Sequence, residues 1–412
     1  MDIATDIATP EDFGMSRERL DRLPPYFKTY LDRKKISGLS LLVSRAGKVV
    51  HQSHQGVMDW DTGQPVDNDT LFRIYSMTKP ITSVALMMLY EEGRFRLEHE
   101  VFRYLPEFRD TPVFDSGDAE TFTTRAPDRP MQILDLLTHT SGLTYDFLVQ
   151  HPVDKMYRRS KLRGLGSEDM SLEAFVNRLA AHPLVFSPGQ KWNYSFATDV
   201  CGRLVEVLSG QSLGAFFKTR IFDPLGMTDT FFQVPEEKAH RLASCYERDP
   251  QTKEIRMQDA GATSPYLTKR LFQSGGGGLV SSLADYHRFC RMLLNGGELD
   301  GTRILSPTTI DFMVQNHLPN GQTMAEMGDE TFSETRMDGS GFGLGFSVVT
   351  SAVDAMAPVT EGTFSWGGAA STFFWIDPAE ELVGILMTQL MPSAAYPLRP
   401  QFQQLTYAAI TE

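Results

Sequence analysis

The tetrapeptide Ser76-Met77-Thr78-Lys79 places a hydroxyl and an amine three residues apart at the start of a predicted helix. The apolar residues behind it have the spacing of a buried helix face: Ile81, Val84, Ala85, Met88 and Leu89. Because residues three apart are neighbours on a helix, the Lys79 amine is expected to lie beside the Ser76 hydroxyl. Burial lowers the pKa of a lysine, which can then accept a proton from a serine nucleophile. Taken alone, the tetrapeptide also fits a capping serine and a surface lysine.

Two later segments could complete such a site. Tyr194 lies on a predicted loop before the helix through Val200, where it could face a cleft. The segment 366–369, Trp-Gly-Gly-Ala, is predicted to open a strand, and its small residues would let a backbone N–H approach a ligand closely. The alternatives are a core tyrosine with a satisfied hydroxyl and a simple bend in a strand.

A competing nucleophile motif is present at residues 210–214, Gly-Gln-Ser-Leu-Gly. In α/β-hydrolases this pattern places the serine on a strained turn between a strand and a helix. Here a helical run precedes it instead, so we predict a turn between two helices with Ser212 as a cap. Glycines 275–278 lack the lysine of a phosphate-binding loop, and we interpret them as a close backbone approach beneath the cleft.

The elements that would position these residues indicate an α+β fold. Strand-like runs near both chain ends, including a hairpin over 39–52, predict an antiparallel sheet flanked by terminal helices. The middle of the chain is mostly helical, with glycine-rich and proline-rich connections. We therefore predict a sheet domain from residues 1–105 plus 266–412, an inserted helical domain over 106–265, and an active-site cleft between them.

The composition excludes several classes of protein. The 412 residues are 41% hydrophobic and 22% charged, as in ordinary globular proteins, and their net charge is −13. This charge has the wrong sign for binding nucleic acid, and no apolar stretch approaches the roughly 20 residues needed to span a bilayer. Three scattered cysteines and an N-terminus without a signal-peptide pattern predict a cytoplasmic protein. No metal or other cofactor is expected, and the oligomeric state is not predicted.

The combined motifs resemble those of the penicillin-recognising serine hydrolases. Ser76-x-x-Lys79, Tyr194 and the 366–368 triplet occur in the order of that superfamily. More specifically, the chain resembles the class C β-lactamase-like branch and, within it, the family VIII carboxylesterases. The similarity extends over residues 15–390 and includes four further segments, 134–143, 221–227, 275–282 and 342–346. It implies a β-lactamase/transpeptidase-like fold.

Two departures from the family pattern bear on substrate. Penicillin-directed members usually carry an asparagine where this chain has Phe196, and a Lys-Thr-Gly triplet where it has Trp366-Gly367-Gly368. These changes remove an amide and a cation that would bind the amide and carboxylate of a β-lactam. The resemblance therefore implies a site for uncharged esters, as in family VIII enzymes.

We accordingly predict a serine carboxylesterase that hydrolyses short-chain esters through an acyl-enzyme. Ser76 is the expected nucleophile, and Lys79 and Tyr194 share the acid and base roles in a division that the sequence does not reveal. By resemblance, the backbone N–H groups of Ser76 and Ala369 form the oxyanion hole. The predicted substrate-binding residues are Trp366, Gly367, Gly368, Tyr145, Phe147 and Phe196. The alternatives are a β-lactamase or DD-peptidase, an acyltransferase using the same acyl-enzyme, and a non-catalytic binding protein.

Overall fold

The computed structural model describes residues 7–163, 170–328 and 332–412. Its α-helices are α1 (Arg17–Leu20), α2 (Leu23–Asp32), α3 (Thr78–Glu91), α4 (Ile133–Leu137), α5 (Pro152–Arg159), α6 (Leu172–Ala180), α7 (Ala197–Ser209), α8 (Leu213–Phe217), α9 (Asp223–Leu225), α10 (Leu283–Leu294), α11 (Pro307–Met313), α12 (Met324–Met327) and α13 (Leu398–Tyr407). Its strands are β1 (Gly38–Arg45), β2 (Lys48–Gly56), β3 (Leu71–Arg73), β4 (Val113–Gly117), β5 (Phe122–Arg125), β6 (Cys245–Arg248), β7 (Ile255–Asp259), β8 (Val280–Ser282), β9 (Glu298–Leu299), β10 (Thr302–Arg303), β11 (Ser340–Phe342), β12 (Ser347–Val349), β13 (Phe364–Gly367), β14 (Phe373–Asp377), β15 (Leu382–Thr388) and β16 (Leu390–Met391).

Both ends of the chain contribute to one large antiparallel sheet. Its strand order is β11-β12-β13-β14-β15-β1-β2, so the N-terminal hairpin pairs with the C-terminal meander. Leu42 of β1 lies opposite Ile385 of β15, which sets the register between the two chain ends. The predicted α+β fold, with an antiparallel sheet built from both termini, is confirmed.

Both faces of the sheet are covered by other elements. Successive side chains of a strand point to opposite faces, so each strand contributes buried residues to both. On β14, Phe373 and Trp375 belong to a cluster with Phe402 of α13 and Phe27 of α2. Phe374 and Ile376 point into the larger cluster, which also contains much of α3 and α10. The terminal helices therefore cover one face, and the helix that follows Ser76 lies on the other.

The segment between β3 and β8 carries most of the remaining helices. Its buried residues join the same apolar cluster as the inner face of the sheet, with Val200 and Leu204 of α7 among them. A small sheet also links it to the C-terminal part, because β6 pairs in parallel with β16 and antiparallel with β7. The proposed division at residues 106 and 265 stays a prediction.

Two parts of the predicted secondary structure need correction. The spacing of apolar residues over 17–35 predicts one helix, but the structure divides it into α1 and α2, because Pro24 and Pro25 favour a new helix start at the first turn. The polar composition of 323–340 predicts a loop, but the structure has the single helical turn α12 there, capped by Thr323 and Glu326, and residues 329–331 lie outside the described residues.

Within residues 7–163, 170–328 and 332–412, no helix is both long and apolar enough to cross a membrane.

Candidate active site

Ser76 is presented by a tight backbone segment at the head of α3. It lies in a short 3-10 turn, Tyr75–Met77, that leads directly into the helix. Tyr75 adopts a left-handed conformation with φ of 43°, which is costly for a bulky side chain. Such strain persists only where the surrounding structure enforces it, and here it immediately precedes the candidate nucleophile.

Lys79 lies one turn further along and is buried, with 1% of its surface exposed. Its Nζ lies 3.2 Å from the Ser76 Oγ and donates a second hydrogen bond to the Gly276 carbonyl at 2.6 Å. Burial lowers the pKa of Lys79 to about 7, against the opposing effect of the carboxylates of Asp199 and Glu334. A substantial fraction of Lys79 is therefore a neutral amine near neutral pH, as a general base requires.

Tyr194 approaches Ser76 from the irregular segment before α7. Its hydroxyl donates a hydrogen bond of 2.6 Å to the Ser76 Oγ. Burial raises the pKa of Tyr194 well above its ordinary value, and the nearby Glu334 carboxylate acts in the same direction. The phenol consequently stays protonated, so in this site it is suited to donating a proton.

His139 supports the Tyr194 segment rather than the reacting groups. Its ring lies 5.1 Å from the Tyr194 ring, and its Nδ1 is 3.1 Å from the Ser195 Oγ. Its carbonyl accepts a hydrogen bond from the Asn193 N–H at 2.9 Å. Burial, with the neighbouring Lys79 cation, holds the pKa of His139 well below its usual range. A neutral imidazole thus orders the turn that carries Tyr194.

The glycine run beneath the site permits close contact with a buried carboxylate. A Cβ on Gly276 would lie 2.6 Å from Asp199 Oδ2, so a larger residue would collide with that side chain. Asp199 Oδ1 accepts hydrogen bonds from the Ser274 hydroxyl at 2.6 Å and from the Gly276 N–H at 3.1 Å. The sequence analysis missed Asp199, although its position in the first turn of the helix after Tyr194 could have indicated it.

The Trp-Gly-Gly segment lies at the end of a strand and not at its start. Trp366 and Gly367 close β13, a strand that the sequence analysis did not predict, and the chain then turns toward β14. Ala369 follows in this turn and lines the same cavity as Ser76. In the part of the chain that the structure describes, no acceptor is bonded to the Ala369 N–H.

A cation that the sequence analysis did not identify lies beside this segment, although it does not line the cavity and is paired with a carboxylate. Arg399 of α13 donates a hydrogen bond of 2.6 Å to the Gly368 carbonyl. Both of its terminal nitrogens also lie 3.0 Å from the buried carboxylate of Glu334. The guanidinium is so close that a Cβ on Gly367 would lie 2.5 Å from it. The sequence offered no signal for the pairing of Arg399 with Glu334, because the two residues are far apart in the chain.

The side chains surround a cavity of about 800 Å³. Tyr145 and Phe147 line it as predicted, with their rings stacked 4.7 Å apart. Its other apolar walls are formed by Tyr75, Leu148, Pro265, Tyr266, Phe332 and Met391. Polar groups are contributed by Asp146, Gln150, Gln258, Asp259, Arg270 and Glu334.

Four of the predicted substrate-binding residues do not reach the lining of this cavity. Phe196 is fully buried behind Tyr145, with its ring 4.4 Å from that ring. Trp366 packs beneath Tyr194 at 5.5 Å, and Gly367 and Gly368 lie against Arg399 and the strand end. Packing against the core therefore directs these residues away from the cavity.

The alternative serine, Ser212, lies at the start of a helix and does not line the cavity. Ser212 is exposed and caps α8, its side chain accepting from the Ala215 N–H, and Gly210 ends α7 in a left-handed conformation. This is the predicted turn between two helices, without a strained nucleophile. Among the described residues, no group of three or more His, Cys, Asp or Glu side chains is arranged to hold a metal ion.

The chain is similar to known proteins over most of its length. The family profile described as Beta-lactamase matches residues 24–408. Protein Rv1367c of Mycobacterium tuberculosis is 36% identical over 364 residues, 88% of each chain. Esterase EstB of Burkholderia gladioli is 33% identical over 383 residues, 89% of each chain. The solved structure of EstCE1, described as a hydrolase with promiscuous acyltransferase activity, superposes with a TM-score of 0.78 at 26% identity, covering 96% of this chain and 98% of that one.

Proposed function

This chain belongs to the beta-lactamase family, and we propose that it is a serine carboxylesterase. The similarity to esterase EstB and to the hydrolase EstCE1 supports this activity. One observation carries the assignment of the site: the Ser76 Oγ lies 2.6 Å from the Tyr194 hydroxyl and 3.2 Å from the Lys79 Nζ. A serine oxygen between a neutral phenol and a lysine with a lowered pKa has both a proton acceptor and a proton donor within reach.

The proposed acylation step divides the proton transfers between the two neighbours. Neutral Lys79 takes the Ser76 proton as the oxygen attacks the ester carbonyl and forms a tetrahedral intermediate. When the bond to the alcohol oxygen breaks, Tyr194 gives its proton to that oxygen, and the Lys79 ammonium restores the phenol. Water then attacks the acyl-enzyme in the reverse sense, which releases the acid and regenerates Ser76. The raised pKa of Tyr194 and the lowered pKa of Lys79 support this division.

The negative charge of the tetrahedral intermediate needs two donors. We assign the backbone N–H groups of Ser76 and Ala369, since both residues line the cavity. Donors that are fixed before the reaction stabilise such an oxygen most effectively, because they need no reorganisation.

The cavity supports an uncharged ester as substrate. Its walls are mainly aromatic and aliphatic, and Arg399, the cation nearest the third motif, is already paired with Glu334. A β-lactam carboxylate would have to compete with Glu334 for this guanidinium. We therefore place short-chain esters ahead of β-lactams, with β-lactam or DD-peptidase chemistry as a weaker activity of the same nucleophile.

A second activity, acyl transfer, is favoured by the size of the cavity. A short acyl group bound to Ser76 would leave much of the 800 Å³ free for an alcohol acceptor. Such an alcohol would attack the acyl-enzyme in place of water, with the same proton transfers. EstCE1 is described as having promiscuous acyltransferase activity, and its similarity supports this proposal.

The location we propose is the cytoplasm. Cys201, Cys245 and Cys290 are all buried free thiols, which is common in reducing compartments. The partner we expect is a small ester, and the net charge of −13 disfavours nucleic acid.

A labelling experiment tests the proposal directly. A fluorophosphonate should modify the Ser76 peptide, as identified by mass spectrometry, and Ser76→Ala should abolish both labelling and hydrolysis of p-nitrophenyl butyrate. Adding an alcohol to the assay should divert part of the acyl group to a new ester. Labelling of Ser212, or an active Ser76→Ala variant, would overturn the assignment.

A further inference from the structure

The peptide unit between Gly368 and Ala369 carries two polar groups. One is the Ala369 N–H, the candidate oxyanion donor, and the other is the Gly368 carbonyl, which already accepts hydrogen bonds. In a trans peptide the N–H and the C=O point in opposite directions. The Gly368 carbonyl accepts hydrogen bonds from Arg399 Nη2 at 2.6 Å and from the Ser371 N–H at 3.0 Å. The Ala369 N–H of the same unit has no bonded acceptor within the described ranges. Holding the carbonyl therefore sets the direction of the free N–H.

This segment needs an external constraint because two glycines precede Ala369. Glycine has wide backbone freedom, so Gly367 and Gly368 alone would not fix the peptide plane. The contact from Arg399 comes from a different element, the first turn of α13. A charged donor makes a stronger hydrogen bond than a neutral one, and hydrogen bonds in a chain polarise one another. The Arg399 bond thus orients the peptide unit and strengthens its N–H as a donor.

Arg399 is itself held in place by Glu334. The carboxylate contacts both terminal nitrogens at 3.0 Å, and the Glu334 carbonyl accepts a further hydrogen bond from Nη1 at 2.5 Å. The side chains of Arg399 and Glu334 are only 12% and 2% exposed. A buried charge is tolerated when it is paired and hydrogen-bonded, so Glu334 allows the guanidinium to remain beside the peptide unit.

We propose that Arg399, held by Glu334, is a positioning residue that orients and polarises the Gly368–Ala369 peptide unit toward the oxyanion. The inference rests on the proposed function, because it presumes that Ala369 N–H binds this oxygen. It makes the C-terminal helix a contributor to transition-state stabilisation although α13 supplies no reacting group. It also accounts for Gly367, since any side chain there would collide with the guanidinium.

The test uses Arg399→Ala in the full chain with p-nitrophenyl butyrate. Losing one oxyanion donor typically costs about 10²-fold or more in kcat, so we expect a loss of about 10²-fold with KM changed less than about threefold. Added guanidinium ion should raise the kcat of the variant at least about tenfold, because the ion can occupy the space left by the Arg399 side chain and donate to the Gly368 carbonyl in its place. Arg336→Ala is the matched control, because Arg336 is a half-exposed arginine paired with Asp338, and it should behave as wild type.

The outcomes separate this inference from the proposed function. Labelling of wild-type Ser76 by a fluorophosphonate decides the proposed function independently of Arg399. Near-wild-type kcat in Arg399→Ala would overturn the inference. A loss of both kcat and substrate binding that guanidinium does not rescue would also overturn it, because such a result indicates a merely structural role for Arg399. If Arg399→Ala does not fold, Glu334→Gln replaces it, and kcat is measured over a full pH profile because the Glu334 carboxylate also acts on the pKa of Lys79. A fall in the pH-independent kcat at constant KM supports the inference, and an unchanged pH-independent kcat overturns it.

Discussion

The Lys79 Nζ lies 4.5 Å from the centre of the Tyr194 ring, and both side chains reach the same Ser76 oxygen. The two groups therefore share one environment but are affected by it in opposite ways. Burial disfavours the charged form of each, which lowers the pKa of Lys79 and raises that of Tyr194. The pair consequently supplies a neutral base and a neutral acid over the same range of pH.

The first prediction concerns this pH range. Because the pKa of Lys79 lies at about 7, kcat/KM for p-nitrophenyl butyrate should fall about tenfold per unit as the pH drops below that value. Above it, Lys79 is neutral and the rate should level off. A pH–rate profile with no acid limb between pH 6 and 8 would contradict the role of Lys79 as base.

A second prediction follows from the carboxylate of Asp199, which opposes the effect of burial on Lys79. In Asp199→Asn the positive form of Lys79 loses this stabilisation, so the pKa of Lys79 falls further and the acid limb of the profile moves to lower pH. Asp338→Asn removes an exposed carboxylate and serves as the control, with no expected shift. An acid limb that stays in place or moves to higher pH in Asp199→Asn would refute this coupling.

The third prediction concerns the acid and base residues themselves. Tyr194→Phe and Lys79→Ala should each lower kcat by on the order of 10² or more, and the double variant should lose less than the product of the two. Tyr104→Phe is the control, because the Tyr104 hydroxyl contacts the His99 Nδ1 at 2.8 Å and Tyr104 does not line the cavity. It should keep near-normal activity. Steady-state kinetics would show the assignment to be wrong if either active-site variant matched the control.

The fourth prediction is about substrate preference. A β-lactam loses the charge-assisted contacts that an amide and a free cation would provide, each worth roughly 1.5–3 kcal/mol. Two such losses lower kcat/KM by on the order of 10² to 10⁴, so acetyl to hexanoyl esters should exceed a chromogenic cephalosporin by about that factor. Measuring both substrates under one set of conditions decides the matter. Equal or faster turnover of the cephalosporin would contradict the preference for uncharged esters.

The last prediction separates the two candidate serines. Ser212→Ala should retain full esterase activity, since its hydroxyl caps α8. Loss of such a cap costs about 0.5–2 kcal/mol, so the variant should show a small decrease in the free energy of unfolding. Denaturation curves beside activity assays measure the two effects. An inactive but folded Ser212→Ala protein would show that Ser212 takes part in the reaction.

Local patterns in the sequence were enough to place several elements correctly. The hairpin of β1 and β2, predicted over 39–52, follows from β-favouring runs on either side of a loop that contains glycine. The same kind of pattern missed β13, a strand of only four residues whose last residue is Gly367. Short apolar runs carry too little periodicity to be distinguished from other buried segments.

The sequence alone determined the family and the pairing of Ser76 with Lys79, because three-residue spacing on a helix is a local property. Only the tertiary structure decided which side chains surround them. Arg399 and Glu334 meet across 65 residues, and Phe196 turns into the core although it lies two residues from Tyr194. The direction of a side chain and the closeness of distant segments depend on how helices and strands pack, and that information is distributed over the whole chain.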